Sequence, residues 1–299
     1  MAVEDIVSIT EFSRADIERF LDTAEQIAAL DREAQQATLP GHVLATLFFE
    51  PSTRTRLSFQ AAMQRLGGSS INLNKEISSL AKGETMYDTG KVVAEYADVA
   101  VLRSPHEGAA RLLAENTEVP VINGGDGANQ HPTQTLLDLY TIRAERGSID
   151  GATIGMLGDL KYGRTVHSLA HALTHFDVSL RLISPAETRM PPDVVDELDD
   201  VEETQELEIQ DLDVLYATRI QQERFPDRRE YERVKGTYVL DRDTVAAMDD
   251  EAVLLHPLPR VDEVTPAVDE LPQARYFAQA GNGVPVRMAV IAELLEVEV

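Results

Sequence analysis

Cysteine and tryptophan are absent from this chain of 299 residues, and aromatic residues make up only 5% of it. The absence of cysteine excludes disulfide bonds and thiolate metal ligands. No stretch approaches the roughly 20 apolar residues of a membrane-spanning helix, and the first five residues lack the basic and apolar regions of a signal peptide. These absences predict a soluble, cytoplasmic protein that has no membrane partner.

Lysine is scarce as well. Acidic residues number 52 against 27 basic ones, for a formal net charge of −25, and only 5 of the basic residues are lysine while 22 are arginine. Such an acidic field repels the phosphates of nucleic acid, so no nucleic-acid partner is expected. An acid-rich, lysine-poor surface suits molar salt, where the Debye length falls to about 3 Å and self-repulsion is screened. We therefore predict a halophilic protein.

The densest acidic segment runs from Asp193 to Asp213 and contains no basic residue. A cation site and an interaction tail are the alternatives. Apolar residues interrupt the acids and favour instead the solvated face of an α/β domain with a buried side. Six of them are Val194, Val195, Leu198, Leu207, Ile209 and Leu212.

Apolar runs alternate with helical patterns along the chain, and the length favours two domains. We predict an α/β fold of two domains, each a parallel sheet flanked by helices. The predicted strands lie at 42–50, 70–74, 98–103, 119–122, 153–157, 178–183, 214–217, 236–239 and 252–255. The predicted helices lie at 13–34, 53–66, 85–96, 107–115, 132–146 and 286–299.

Residues 48–58 carry the most informative pattern, because a buried strand ends there in a turn at Pro51 and a helix follows at once. Ser52 or Thr53 can cap that helix. Its predicted apolar face consists of Leu57, Ala61, Met63 and Leu66.

The start of this helix is rich in phosphate donors. Free backbone N–H groups and the positive end of the helix dipole favour a phosphate there. Arg54 adds a planar, permanently charged fork, and hydroxyl donors come from Ser52, Thr53 and Thr55. An ordinary capped helix with solvated arginines is the alternative.

Glycines at 155, 158 and 163 follow a predicted strand and invite a dinucleotide-binding interpretation. Their spacing does not fit Gly-x-Gly-x-x-Gly, and no acidic residue ends the next strand, so a nicotinamide cofactor is not expected. Arg164 opens the following helix and is placed to meet an anion.

Three further places hold candidate binding groups. His131 begins the long helix, although a structural cap is the alternative, and Gln134 lies on the same face. The residues 123–130 before it are too rich in Gly and Asn to predict regular structure. Arg219 and Gln221 follow a strand, where open α/β sheets place ligand groups. The loop 78–84 is small, polar and glycine-bearing, and by itself is an unremarkable connection.

The segment Ser52-Thr53-Arg54-Thr55-Arg56 resembles the carbamoyl phosphate signature of the transcarbamylases, the family of aspartate and ornithine carbamoyltransferases. Further segments match in the order that the family shows, from about residue 5 to the C-terminus. They are Lys82-Gly83-Glu84, Arg103 ahead of a proline, His131-Pro132-Thr133-Gln134 and His256-Pro257-Leu258-Pro259-Arg260. The last resembles the aspartate-using branch, since ornithine enzymes typically carry His-Cys-Leu-Pro there.

The resemblance implies transfer of a carbamoyl group from carbamoyl phosphate to L-aspartate, an early step of pyrimidine biosynthesis, without a metal or an organic cofactor. It implies a carbamoyl phosphate-binding domain at 1–131 completed by helix 286–299, an interdomain helix at 132–149 and an aspartate-binding domain at 150–285. Two interdomain helices would then join the domains. The alternatives are ornithine or another acceptor, and a non-catalytic anion-binding homologue.

The resemblance also implies a role for each site residue. The phosphate would be bound by Ser52, Thr53, Arg54 and Thr55. The carbamoyl oxygen would accept hydrogen bonds from Thr55, Arg103 and His131. The carbamoyl amide would be held by Gln134 and by the backbone carbonyls of Pro257 and Leu258. The aspartate carboxylates would be bound by Arg164, Arg219 and Gln221. Glu50 would orient Arg164 and Arg224 by pairing with them.

A neighbouring subunit would complete each site. The resemblance implies a homotrimer in which the loop around Lys82 enters the neighbour's site and reaches the phosphate and the acceptor carboxylate. Ser78, four residues before Lys82, is the predicted donated serine, and Ser79 is the alternative. Whether a separate regulatory chain binds the trimer is left open by the sequence.

Overall fold

The computed structural model describes residues 3–74, 83–221, 225, 227–297 and 299. The chain packs into two compact units. The first unit consists of Met1–Leu137 and Asn282–Val299, and the second unit is Asp138–Gly281. The chain passes from one unit to the other inside two helices, at Leu137/Asp138 and at Gly281/Asn282.

Each unit holds one parallel sheet. The first sheet has the order β2-β1-β3-β4, and the second has the order β7-β6-β5-β8-β9. All strand pairs are parallel, so the predicted fold class is confirmed. The strands are β1 (Val43–Phe48), β2 (Ser69–Asn74), β3 (Val99–Ser104), β4 (Val121–Asp126), β5 (Ala152–Leu157), β6 (Val178–Ile183), β7 (Val201–Thr204), β8 (Val214–Ala217) and β9 (Val253–Leu255).

Helices precede, connect and follow the strands, and those that lie between strands of one sheet form the crossovers that parallel neighbours require. They are α1 (Arg14–Ala29), α2 (Arg32–Gln36), α3 (Arg54–Arg65), α4 (Met86–Ala94), α5 (Ala109–Ala114), α6 (Pro132–Arg146), α7 (Arg164–Leu173), α8 (Pro192–Val195), α9 (Arg228–Val234), α10 (Arg242–Ala246) and α11 (Tyr276–Leu294). Within the described part of the chain, no helix is both long and apolar enough to cross a membrane.

The predicted first helix divides into α1 and α2. Ser13 caps α1, since its hydroxyl accepts the Asp16 N–H while the Asp16 carboxylate accepts the Ser13 N–H. Leu30 leaves the helical region at ψ 146°, and Asp31 caps α2 by accepting the Ala34 N–H at 2.9 Å. The sequence prediction of one helix to residue 34 was therefore wrong, because a second capping residue restarts the helix.

The buried face of α3 differs from the prediction. Its buried residues are Thr55, Phe59, Ala62 and Met63, followed by Leu66. This i, i+4, i+7, i+8 spacing forms one helical face. Leu57 lies on the other side and is 53% exposed, so its assignment to the core face was wrong.

Two strand predictions also fail. Strand β4 extends to Asp126, because Asn123 donates its N–H to Ile6 and Gly124 allows close packing on Val101 and Leu102. The segment 236–239 is not a strand; only the following residue, Leu240, forms a bridge, to Val264.

The acidic segment forms the outer edge of the second sheet. Strand β7 (Val201–Thr204), which the sequence did not predict, pairs with β6 there. The predicted buried side is confirmed by four of its apolar residues, Val194, Leu198, Ile209 and Leu212.

The last helix begins ten residues before its predicted start at 286 and contains Pro285. Proline removes one helical hydrogen bond, and glycine weakens helix propensity, so Gly281, Gly283 and Pro285 argued against a helix here. Burial outweighs that cost: Val286, Met288, Val290 and Ile291 are all 0–1% exposed.

Candidate functional site

The strand order of each sheet reverses at one point, and Arg54, Arg103, Arg164 and Arg219 lie beside these points. In the first sheet the chain places β2 on one side of β1 and β3 on the other. In the second sheet β6 and β8 flank β5 in the same way. Open parallel sheets bind ligands at the carboxyl ends of the strands beside such a reversal.

In the first unit, helix α3 begins six residues after the end of β1, and Arg54 is its first residue. The first N–H groups of a helix lack partners within the helix, and its dipole is positive at this end. Thr53 occupies the N-cap position but its hydroxyl makes no capping hydrogen bond, so the predicted side-chain cap is wrong. Arg54 is exposed and Thr55 is buried. The helix start therefore presents N–H groups, a cation and hydroxyls together.

Arg103 lies on β3 beside this helix start, because Phe48 of β1 is its register partner. Its guanidinium donates to the Gly124 carbonyl at 3.0 Å, and its Nε lies 3.4 Å from the Glu50 carboxylate. Both contacts hold the guanidinium at the carboxyl edge of the sheet. Glu50 thus has a cationic partner inside its own unit. Its predicted partner Arg224 lies outside the described residues.

His131 precedes α6 and is buried at 4% exposure. Its carbonyl accepts the N–H groups of Gln134 at 2.9 Å and Thr135 at 3.2 Å, so it acts as the backbone cap of that helix. Gln134 is half-buried in the first turn. The turn before His131 leaves β4, the neighbour of β3, so Thr55, Arg103 and His131 all lie at one edge of the sheet.

Asp126 fixes the turn that leads to His131, and sequence reasoning missed it. It is 1% exposed, and one carboxylate oxygen accepts the Gly108 N–H at 2.8 Å and the Asn129 amide at 3.0 Å. The other oxygen accepts the Asn123 amide at 2.8 Å and the Gln130 N–H at 3.1 Å. Its place in a Gly-Gly-Asp-Gly sequence was the available signal.

We expect Asp126→Asn to lower the free energy of unfolding by about 2–4 kcal/mol, because an NH₂ group would face two of the four donors. Denaturant unfolding in high salt measures this change. Asp250→Asn, at an exposed turn, is the matched control. A loss of less than about 0.5 kcal/mol, the usual size of a surface effect, would contradict the assigned role of Asp126.

In the second unit, Arg164 is the first residue of α7 and is 7% exposed. The chain reaches it from β5 through Gly158, which has φ +114°, and a Cβ there would lie 2.2 Å from the Thr218 carbonyl oxygen. Glycine is therefore required at this position because the loops after β5 and β8 are in contact. This contact accounts for Gly158 without a dinucleotide-binding role.

Arg219 and Gln221 follow β8 on the same edge, two and four residues after its last residue, and both are half-buried. Leu157 of β5 is the register partner of Ala217 of β8, so the strands that precede Arg164 and Arg219 end level with each other. Pro257 and Leu258 follow β9, the next strand, and are half-buried as well. The acceptor-side residues thus share one edge of the second sheet.

His256, which directly follows β9, is 2% exposed, and both of its ring nitrogens make hydrogen bonds. Its Nδ1 accepts the Leu258 N–H at 2.8 Å, and its Nε2 lies 2.8 Å from the Glu263 carboxylate. Burial raises the pKa of the Glu263 carboxyl, but the hydrogen bonds from His256 and from backbone N–H groups outweigh burial and leave that pKa below its ordinary value. Sequence reasoning did not identify Glu263.

A buried hydrogen-bond network also holds the backbone N–H of His256. The Gln279 side-chain oxygen accepts the His256 N–H at 2.8 Å, and its amide donates to Asp138 at 2.6 Å. The Tyr216 hydroxyl donates to the same carboxylate at 2.9 Å. Burial, and then the Asp138 charge, raise the pKa of Tyr216 well above its ordinary value, so its hydroxyl stays protonated.

A cavity of about 440 Å³, counting its space open to solvent, lies beside these acceptor-side loops. Leu157, Gly158 and Thr218 form part of its wall, with Tyr231 and Asp262. None of the predicted site residues that the structure describes lines this cavity. Ser78, Ser79 and Lys82 lie outside the described residues. Over the residues that the structure covers, no group of three or more His, Asp and Glu is arranged to hold a metal ion.

Two family models match the chain. The model described as "Aspartate/ornithine carbamoyltransferase, carbamoyl-P binding domain" matches residues 4–144. The model described as "Aspartate/ornithine carbamoyltransferase, Asp/Orn binding domain" matches residues 150–294.

Individual relatives agree with the family models. The aspartate carbamoyltransferase catalytic subunit of Methanopyrus kandleri is 57% identical over 98% of both chains. The solved catalytic subunit of M. jannaschii aspartate transcarbamoylase superposes with a TM-score of 0.92, at 50% identity over 98% of both chains. The Trypanosoma cruzi aspartate transcarbamoylase in complex with carbamoyl phosphate and aspartate superposes with a TM-score of 0.90, at 38% identity over 97% of this chain and 96% of that one.

Proposed function

Because this chain belongs to the aspartate/ornithine carbamoyltransferase family, we propose that it transfers the carbamoyl group of carbamoyl phosphate to the amine of L-aspartate. The products are N-carbamoyl-L-aspartate and phosphate, and the reaction is a step of pyrimidine biosynthesis. The observation that carries the proposal is the placement of arginines, with Arg54 and Arg103 beside the reversal point of the first sheet and Arg164 and Arg219 beside that of the second.

Carbamoyl phosphate is assigned to the first unit. The start of α3, with Ser52, Thr53, Arg54 and Thr55, binds the phosphate through N–H groups, hydroxyls and a guanidinium. Negative charge builds on the carbamoyl oxygen in the transition state, and its donors are Thr55, Arg103 and His131. The hydrogen bond of Arg103 to the Gly124 carbonyl supports this role, since it holds the cation in place before substrate arrives.

L-Aspartate is assigned to the second unit. Arg164, Arg219 and Gln221 bind its two carboxylates, and the carbonyls of Pro257 and Leu258, with Gln134, hold the carbamoyl amide. Two arginines on the acceptor side favour a dicarboxylate over ornithine, whose cationic side chain they would repel.

Catalysis consists of positioning and charge stabilisation, because the carbamoyl donor is already activated. The aspartate amine attacks the carbamoyl carbon, a C–N bond forms, and the bond from that carbon to the phosphate oxygen breaks. The departing phosphate is the proposed acceptor of the amine proton.

The proposed assembly is a cytoplasmic homotrimer with shared sites, in which Lys82 and Ser78 enter the neighbouring subunit's site. This assignment rests on the family resemblance of the loop. The relatives' name, catalytic subunit, supports a separate regulatory chain as a further partner. Nucleic acid and membranes are not proposed partners, given the net charge of −25.

A colorimetric assay for carbamoylated product tests the proposal. Carbamoyl phosphate is supplied with aspartate or with ornithine, in parallel, at low and high salt. We expect product with aspartate in high salt. Product with ornithine alone would overturn the acceptor assignment, and no product with either would favour the non-catalytic alternative.

Complementation between two inactive variants tests the shared site. Arg54→Ala damages the body of a site and Lys82→Ala damages the donated loop, so mixed trimers contain some intact sites. With random one-to-one mixing in a closed ring, about one quarter of the sites should be intact.

The measurement is the activity of the mixture after dissociation and reassembly, with hybrid trimers verified by native mass spectrometry. Recovery near one quarter of wild-type activity is expected. Hybrids as inactive as their parents would place Lys82 in its own subunit's site or outside the chemistry.

A further inference from the structure

The loop that follows β9 carries the two carbonyls assigned to the substrate amide, and it has an unusual backbone. Leu258 has φ +54°, and within the described residues only Glu296 shares a positive φ among non-glycine residues. A leucine adopts this left-handed conformation only where its surroundings enforce it. The neighbouring side chains therefore decide how the loop is shaped.

The hydrogen bond to His256 fixes one of the two carbonyls. The Pro257 carbonyl and the Leu258 N–H belong to one planar trans peptide, so they point in opposite directions. Since the N–H donates to His256 Nδ1 at 2.8 Å, the Pro257 oxygen is directed away from the imidazole. Among the residues that the structure describes, no donor reaches the Pro257 or Leu258 oxygen.

The partners of His256 also fix its proton. Nδ1 accepts the Leu258 N–H and so carries no hydrogen, which leaves Nε2 as the protonated nitrogen. That nitrogen lies 2.8 Å from the Glu263 carboxylate, which accepts its hydrogen. A carboxylate on one side selects the tautomer that can accept on the other.

Glu263 holds the far end of the loop at the same time. Its carboxylate accepts the backbone N–H groups of Val261 and Asp262 at 3.2 Å, and its own carbonyl accepts the Leu240 N–H at 2.8 Å. These hydrogen bonds fix the position of Glu263. Glu263 in turn fixes the imidazole of His256, which fixes the Leu258 N–H.

We propose that Glu263 and His256 are positioning residues that direct the Pro257 and Leu258 carbonyls toward the carbamoyl amide. The inference rests on the proposed function, in which those carbonyls accept hydrogen bonds from the amide. Neither side chain is assigned a contact with substrate. Their effect is confined to the amide, so they leave the phosphate contacts of the first unit unchanged.

Glu263→Gln tests the hydrogen bond between Glu263 and His256. The variant keeps the shape of the side chain but places an NH₂ group against the N–H donors that the carboxylate accepts. A displacement of about 1 Å can cost about 10²-fold in rate, so we expect kcat/KM for carbamoyl phosphate to fall by about that factor. The inhibition constant of inorganic phosphate, which has no amide, should not change. Glu251→Gln, at an exposed position, is the matched control.

The pair His256→Asn and His256→Gln tests the second link and decides the matter if Glu263→Gln does not fold. Asparagine can place its oxygen where Nδ1 accepts the Leu258 N–H, whereas glutamine reaches only the Nε2 position. The kcat/KM of His256→Asn should therefore be at least about tenfold higher than that of His256→Gln. This ratio corresponds to about 1.4 kcal/mol, the size of one hydrogen bond.

Three results would overturn the inference: wild-type kcat/KM in Glu263→Gln, equal losses in the two His256 variants, or a parallel loss of phosphate binding. The wild-type enzyme separates this failure from a failure of the proposed function. If the wild type forms carbamoyl aspartate while Glu263→Gln equals it, only the positioning role is lost.

Discussion

Replacing Arg54 by alanine is expected to lower kcat by about 10³-fold or more, the size of effect seen when a cation that stabilises transferred charge is removed. Arg54 is the first residue of α3 and is exposed at the start of the helix. The leaving phosphate would lose its bidentate partner, and the remaining N–H groups and hydroxyls cannot replace that charge. Steady-state kinetics with saturating aspartate measure the change.

The fold should survive this substitution, because the buried face of α3 consists of other residues, such as Phe59 and Met63. Arg65→Ala, at the opposite end of the same helix, removes the same charge and should retain nearly full activity. Arg54→Lys keeps the charge but loses the planar fork, so an intermediate kcat is expected. Near-normal turnover in a folded Arg54→Ala protein would contradict the phosphate site at α3.

Dilution from molar salt to about 0.1 M is expected to lower the melting temperature by about 10 °C or more, because the Debye length grows to about 10 Å and the acidic surface repels itself. The outer edge of the second unit should be most sensitive. Arg181 there forms ion pairs with Glu202 at 3.1 Å and with Asp211 at 2.6 Å, and these two acids lie among further exposed acids. Circular dichroism melts across a KCl series measure the effect.

Two controls separate charge screening from other effects of salt. Sucrose at equal osmolality should not replace KCl, since it screens no charge. A triple variant with Asp199→Asn, Glu203→Gln and Glu208→Gln should need less salt for the same melting temperature, because all three residues are exposed acids of this edge. An unchanged melting temperature between dilute buffer and molar salt would refute the halophilic prediction and leave the enzyme assignment untouched.

The element predictions succeeded where apolar periodicity and capping residues agreed. Strands β1, β3, β5, β6, β8 and β9 lie within two residues of their predicted positions, and α6 has the predicted bounds. Three of the failures share a cause. Strand β4 continues through Gly124, α11 continues through Pro285, and β7 forms in an acidic segment. In each, neighbouring elements supply hydrogen bonds or burial that local propensity does not contain.

The candidate site shows the same division. Arg54, His131, Arg164 and Arg219 could be named from the sequence because each stands where a strand ends or a helix begins, whereas Arg103 was named from the family resemblance alone. Asp126 and Glu263 were not named, because an aspartate or glutamate in a polar segment is usually solvated. Their importance comes from hydrogen-bond donors that are distant in sequence. Gly108, which donates to Asp126, lies 18 residues before it, and Leu240, which donates to Glu263, lies 23 residues before that residue.

The sequence alone determined the α/β class, the two series of strands and the chemistry of the groups at the strand ends, since these depend on local period, charge and turn residues. Tertiary structure alone decided which strand ends are neighbours, and so which groups meet at the reversal points of the two sheets. It also decided how His256, Glu263 and Asp126 are used. Parallel strands are joined through crossovers, so their ends meet only once the sheet has formed, and a buried polar group acquires its role from the partners that folding brings to it.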